Sequence, residues 1–311
     1  MRAILTNPYR IIGLPINASR REVLANIGML KAFTFVKKYK RFSTDAENVL
    51  APPIRSVNSV NRAETALQSP DERLKAAMTW FAITSERDVK FIDDFNRGTS
   101  RICSDLTCYS SVLNSAVSSL IKGKIGVAID YYVKLFYDNS LRLDFLSSVY
   151  DLDINTSPEH LSMKLTSVLA SHYTFDMLAP AYSAAKSISN NVLSVLIEYE
   201  YGKIQAELDK EIGIARNVSP QLSGDVLLPF INRSKALLEK ASNVMVDSNK
   251  TGYMRDIIAQ TVLKLSVNGY NAGFIPAKNA ISSLRFATNT AASSVVKLQC
   301  KHNYDLLLNN L

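Results

Sequence analysis

Apolar positions along this chain recur at three- and four-residue spacing, and runs that alternate apolar with polar residues do not appear. That pattern predicts helices throughout. Val23, Ile27, Leu30 and Phe33 fall on one face of a helix predicted from Glu22 to about Lys40. Its start is marked by Ser19-Arg20-Arg21-Glu22, a capping box in which hydroxyl and carboxylate each accept from the other residue's backbone N–H. A further helix is predicted over Ser56 to Leu67, with Val57, Val60, Ala63 and Leu67 inward. Ser69-Pro70-Asp71-Glu72 then supplies a cap, a proline at the first helical position and early acidic residues. Leu74, Ala77, Met78 and Phe81 continue as a core stripe, and Trp80 is expected to pack between head and body. Between these helices, Thr44-Asp45-Ala46-Glu47 is expected to cap a short helix stopped by Pro52-Pro53. Residues 83–105 are polar and mixed, read as a solvated connection that carries the passage from head to body.

Beyond that connection the same spacing continues. Leu141, Phe145, Leu146 and Val149 mark one helix, and Ser157-Pro158-Glu159 opens another through Leu161, Leu165, Val168 and Leu169. Residues 173–179 lead to a long helix expected to begin near Pro180 and to run past Leu208. Ser219-Pro220 and Gly224 break it, after which Leu227, Leu228, Ile231, Ala236, Leu237 and Val244 form the next stripe. Asp247 to Gly252 reads as a loop by composition. Two last helices, from Met254 to about Tyr270 and from Pro276 to Leu311, are expected to pack as an antiparallel hairpin that caps the array. The expected fold class is all-α: a small head over residues 1–101, then a helical body over 102–311.

A chain of 311 residues exceeds what one core usually covers, so two domains or a head on an elongated body are expected. With 47% hydrophobic and 21% charged residues it has the composition of a globular protein rather than a disordered one. The N-terminus lacks the apolar stretch of roughly 7 to 15 residues that a secretory signal needs. Nor is there an apolar run of about 18 residues for a membrane span. Cys103, Cys108 and Cys300 fit neither a Cys-x-x-Cys pair nor a disulfide framework, which points to a reducing cytoplasm. Charge changes the picture more than the total of +8 does. Residues 1–101 hold 17 Lys and Arg against 10 Asp and Glu, whereas the remainder holds 19 against 18. The basic character belongs to the head, where it favours encounter with an anionic partner.

Specific residues in the head carry a family resemblance. Tyr9-Arg10-Ile11-Ile12-Gly13, the cap Asn17-Ala18-Ser19, the basic helix from Glu22 and the ending Ala63-Glu64-Thr65-Ala66-Leu67 through Ser69-Pro70-Asp71-Glu72-Arg73 resemble a J-domain. The run also resembles J-like bacterial proteins with an Asn-Pro-Tyr-Arg opening, as in Asn7 to Arg10, a Leu30-Lys31-Ala32-Phe33 helix, Pro52-Pro53-Ile54 with Arg55, and Trp80-Phe81. Where the family places His-Pro-Asp, this chain reads Arg41-Phe42-Ser43-Thr44-Asp45-Ala46-Glu47, with no histidine before His160. That tripeptide stimulates ATP hydrolysis by the DnaK-type chaperone, so the resemblance implies a docking head without the usual stimulating group. In the body, Gly123-Lys124-Ile125-Gly126 with Ala128-Ile129-Asp130-Tyr131-Tyr132 resembles the helix-turn-helix of a tetratricopeptide repeat. A second copy at 34-residue spacing does not follow.

Lys31, Lys37, Lys38, Lys40 and Arg41 crowd the second half of the basic helix. A helix C-terminus attracts cations for structural reasons alone. In J-domains, however, that helix is the docking surface, so these five residues are the expected partner contacts. His160, His172 and His302 stand apart, and no spacing suggests a metal site or a base for a cysteine nucleophile. Gly123 to Gly126 is not a phosphate loop. The expectation is a non-catalytic adaptor with no cofactor or metal, docking a protein such as a DnaK-type chaperone. A helical-repeat scaffold and a nucleic-acid-associated protein are the two other readings, and no membrane partner is expected.

Overall fold

The computed structural model describes residues 2–99, 106–185, 190–244 and 246–309. Among them every regular element is helical and no strand occurs, so the fold is all-α. In chain order the first six helices are α1 (Arg2–Leu5), α2 (Pro8–Ile12), α3 (Arg20–Phe35), α4 (Val57–Gln68), α5 (Pro70–Met78) and α6 (Glu86–Asn96). There follow α7 (Tyr109–Ile121), α8 (Ile125–Tyr137), α9 (Asn139–Ser148), α10 (Pro158–Ala170), α11 (Phe175–Ala184) and α12 (Asn190–Arg216). The last four are α13 (Ser223–Asn243), α14 (Ser248–Asn271), α15 (Ala277–Thr290) and α16 (Ser294–Asn309). Short 3₁₀ turns lie at Ser43–Asp45 and Pro220–Leu222. The chain divides into two compact units, Met1–Leu196 and Ile197–Leu311.

The first unit carries through the transition expected at residue 101. The reason lies in residues 78–83, whose backbone is fixed from both sides. Asn17 and Asn114 each clamp a residue of this strip: Asn17 pairs with both backbone groups of Ile83, and Asn114 with both of Ala82. The Tyr132 hydroxyl of α8 donates to the Met78 carbonyl at 2.5 Å. Trp80 and Phe81 are fully buried here, with ring centroids 5.2 Å apart, and Phe95 of α6 continues the cluster. Residues 86–96, expected within a loop, are helical because Asp88 accepts from the N–H groups of Thr84 and Ser85 and because Ile92 and Phe95 have this core to enter. α7 and α8 pack as a helical hairpin across a turn in which Gly123 has a left-handed φ of 72°.

Several helix ends differ from expectation for identifiable reasons. α3 stops at Phe35, not near Lys40: Lys37 takes a left-handed φ of 54°, and the Lys38 N–H returns to the Phe33 carbonyl. Val57 is exposed, so the α4 stripe is Val60, Ala63 and Leu67. Pro180 sits inside α11, and the long helix begins at Asn190.

In the second unit α13, α14, α15 and α16 pack successively. Leu228 and Ala236 face solvent, while Leu227, Ile231, Leu237 and Val244 are buried as expected. Asp247 to Gly252 is a helix start, since the Asp247 carboxylate caps α14 by accepting from the Asn249 N–H at 2.7 Å. The single helix expected over 276–311 is two. Asp256 of α14 accepts from the N–H groups of Ala292 and Ser293 at 2.8 and 2.9 Å, and Arg255 donates to the Thr290 carbonyl. Those bonds stabilise a break whose local mark is Ser293, which caps α16 by accepting from the Val296 N–H. No described helix is long and apolar enough to cross a membrane.

Candidate interaction surface

The segment joining α3 to α4 is long, and a buried ion pair organises it. Asp45, at the end of the 3₁₀ turn, is paired through both carboxylate oxygens with the Arg55 guanidinium, one contact spanning 2.9 Å. Their side chains are 1% and 2% exposed. Arg55 uses its remaining donors on the carbonyls of Arg10, Ile11 and Lys40, while the Phe42 N–H donates to Asp45. Arg10, equally buried, donates to the carbonyls of Leu5, Asp45 and Ala51 at 2.6–3.2 Å and lies 5.9 Å from the Trp80 ring. Burial pulls its guanidinium below its ordinary pKa, against the opposing effect of the nearby Asp45 carboxylate. Buried cations need such partners, because an uncompensated charge in this environment is strongly destabilising.

Phe42 completes the anchor. Its ring sits against Gly13, whose φ is 72°, so closely that a Cβ there would meet Phe42 Cδ2 at 2.2 Å. The Arg55 guanidinium lies 4.8 Å from the centroid of the same ring, and the Lys40 ammonium 5.2 Å. The residues of the Asn-Pro-Tyr-Arg and Pro-Pro-Ile-Arg runs are therefore scaffold: Asn7 caps α2 and donates to the Ala76 carbonyl and Thr79 hydroxyl, while Arg10 and Arg55 fix the loop.

What this scaffold presents is a tip at residues 35–41. Phe35 is 86% exposed, with Val36 and Tyr39 at 56% and 51%. Between them stand Lys37 and Lys38, both exposed and without an ion pair among the described residues. The other expected contacts are less available. Lys31 lies on α3 paired with Glu64 of α4 at 2.6 Å. Lys40 is half-buried and directed to Met29 Sδ at 3.1 Å. Arg41 is exposed and 3.3 Å from Glu47, which also accepts from the Tyr39 hydroxyl. Burial first, and that bond second, raise the Tyr39 pKa. The five cations thus do not form one helix face: Lys37, Lys38 and Arg41 share the loop beyond the helix end, and Lys31 stands apart. Phe35, Val36 and Tyr39 had no assigned role as an exposed apolar set, although their interleaving with lysines is visible in the sequence.

Elsewhere the chemistry is sparse. Cys103 lies outside the described residues; Cys108 is exposed, and Cys300 is buried with its thiol pushed up to about 11, first by burial and then by the Asp256 carboxylate. Among the described residues no group of His, Cys, Asp and Glu could hold a metal ion. Compared with known proteins, the chain matches no family model, no curated protein and no solved structure.

Proposed function

We propose that this protein is a non-catalytic adaptor whose J-like head docks an acidic protein surface, with Lys37 and Lys38 as the principal cations and Phe35 and Tyr39 on either side of them. Lys31, Lys40 and Arg41 play a supporting part, since each already has an intramolecular partner. One observation carries the reading: large apolar side chains and unpaired lysines are displayed together at a tip that a buried Asp45–Arg55 pair fixes from behind. Exposed aromatic groups beside cations suit a protein interface, where aromatic anchors supply affinity and charge supplies steering. A solvated charge run would not need the apolar residues or the anchor.

Asp45 bears on the kind of adaptor. It stands in the segment where the J-domain tripeptide would lie, yet its carboxylate is consumed by Arg55 and the Phe42 N–H. Docking without ATPase stimulation follows from that.

The test is binding of the full chain to a DnaK-type chaperone, to duplex DNA and to anionic vesicles, each at low and moderate salt. Saturable chaperone binding, lost in Phe35→Ala and in Lys37→Glu/Lys38→Glu, is the expected result. Binding to DNA alone with a steep salt dependence would replace this reading with the nucleic-acid one. No binding to any of the three would leave the helical scaffold.

A further inference from the structure

A second feature of the first unit lies apart from the tip. A cleft of about 970 Å³ opens between α4, α5 and the end of α10, and none of residues 35–41 lines it. Its size is at the upper end for ligand sites, which run from about 300 to 1,000 Å³. α4 turns Ser59, Arg62, Ala63 and Ala66 into it, positions three and four residues apart that share one helix face. With Ala76 of α5 and Pro8 of α2, the two alanines make a floor of short side chains over which another main chain can approach closely.

The lining is also electropositive. Arg62 is exposed and has no ion pair among the described residues. Arg10 lies buried behind the wall with its donors on backbone carbonyls and the Asp45 carboxylate nearby, so the exposed Arg62 is the cation that can meet a ligand. Among the described residues Glu72 is the one acidic member of the lining, and it is already 2.7 Å from Lys75. The N-terminus of α4, capped by Ser56, adds its positive dipole end at the same edge. Low-dielectric walls focus such a field on an anionic ligand.

We infer that this cleft binds an extended acidic peptide segment, its carboxylates facing Arg62 and the N-terminal end of α4 and its small residues lying over Ala63, Ala66 and Ala76. The described lining contains no Phe, Tyr or Trp, so it offers none of the stacking platforms that single-stranded nucleic acid uses. Its polar groups are spread along three helices instead of converging on one point, which suits a chain better than a compact anion. The adaptor would then grip one partner by its tip and a second by this cleft.

The experiment selects peptides of about twelve residues from a random displayed library on the full chain, then measures a selected synthetic peptide by fluorescence polarisation. Enrichment of Asp and Glu is expected, with affinity about tenfold weaker in Arg62→Glu and in Ala66→Phe, and unchanged in Lys37→Glu/Lys38→Glu. Arg62 is solvent-exposed and unpaired among the described residues, so its variant keeps the test sound if Ala66→Phe does not fold. No acidic enrichment, or affinity indifferent to Arg62→Glu, overturns the inference. Loss only in the tip variant would also overturn it, placing the peptide on the docking loop. Full displacement by millimolar phosphate or succinate would overturn the peptide assignment in favour of a small anion.

Discussion

Replacing Arg55 with alanine should be among the most damaging single changes in the first unit. The substitution strands the Asp45 carboxylate, 1% exposed, with only the Phe42 N–H as a partner, and frees the carbonyls of Arg10, Ile11 and Lys40. Breaking a buried pair from one side costs about 3–5 kcal/mol, because an uncompensated charge stays inside. The chain has one tryptophan, Trp80, fully buried in the same unit, so its fluorescence follows this unit's unfolding in urea. With a slope of about 2 kcal/mol per molar, the midpoint should fall by about 1.5–2.5 M. Asp45→Asn should cost less, since Arg55 keeps its three carbonyls. The double variant should cost less than the sum by at least about 1 kcal/mol, the signature of direct coupling. A midpoint shift below about 0.5 M for Arg55→Ala, or strict additivity, would refute the claim that this pair fixes the loop.

Other substitutions probe the same architecture. Gly13→Ala should cost about 2–4 kcal/mol, because the left-handed φ and the Phe42 ring both oppose a Cβ; a loss under about 1 kcal/mol in the same urea assay would show that the ring moves away freely. Lys37→Gly should stabilise by about 0.5–1 kcal/mol by relieving its left-handed backbone while weakening partner binding, and a destabilised variant would contradict the cap geometry. Asp256 has a lowered pKa: burial opposes ionisation, but hydrogen bonds from the Ser293 N–H and hydroxyl and the Ala292 N–H, with the Arg255 charge, together outweigh it. Its contribution is therefore complete above its unfolded pKa of 3.8 and fades as pH falls through the lower folded value. Circular-dichroism melts should show Asp256→Asn less stable than the parent at neutral pH, with the gap closing in acid; a gap that widens in acid would reverse the sign. With Cys103 and Cys108 replaced by serine, Cys300 should react with a disulfide reagent far more slowly at pH 8 than in urea, as fits a buried thiol shifted to about 11.

Much of the helical order was legible because caps are local. Ser19, Ser56, Ser69 and Ser157 each accept from a backbone N–H near the start of the helix they announce. Ends decided by tertiary contacts were not legible. Asp256 reaches across from another helix to break 276–311, and the one local mark of the break is Ser293, whose hydroxyl accepts from the Val296 N–H at 3.4 Å. α6 was hidden because most of its sequence is polar and few apolar residues, Ile92 and Phe95 among them, enter the core beside Phe81. At the tip, the lysines were visible but the helix end was not, since a lysine in left-handed conformation is an uncommon stop. Arg10 and Arg55 stood out only as parts of recurring runs. That their guanidiniums bind carbonyls and a buried carboxylate depends on a loop closure over about forty residues, beyond any local pattern.

The most direct test of the docking tip places a photo-crosslinking benzophenone residue at Phe35 in the full chain, with Leu228, an exposed leucine of the second unit, as the comparison site. Irradiation with a DnaK-type chaperone, then with the cell's own proteins, is predicted to give a discrete adduct at position 35 that maps to an acidic surface. That adduct should vanish in Lys37→Glu/Lys38→Glu and be absent at position 228. No adduct at 35, or one that persists after charge reversal, would contradict a docking role for the tip.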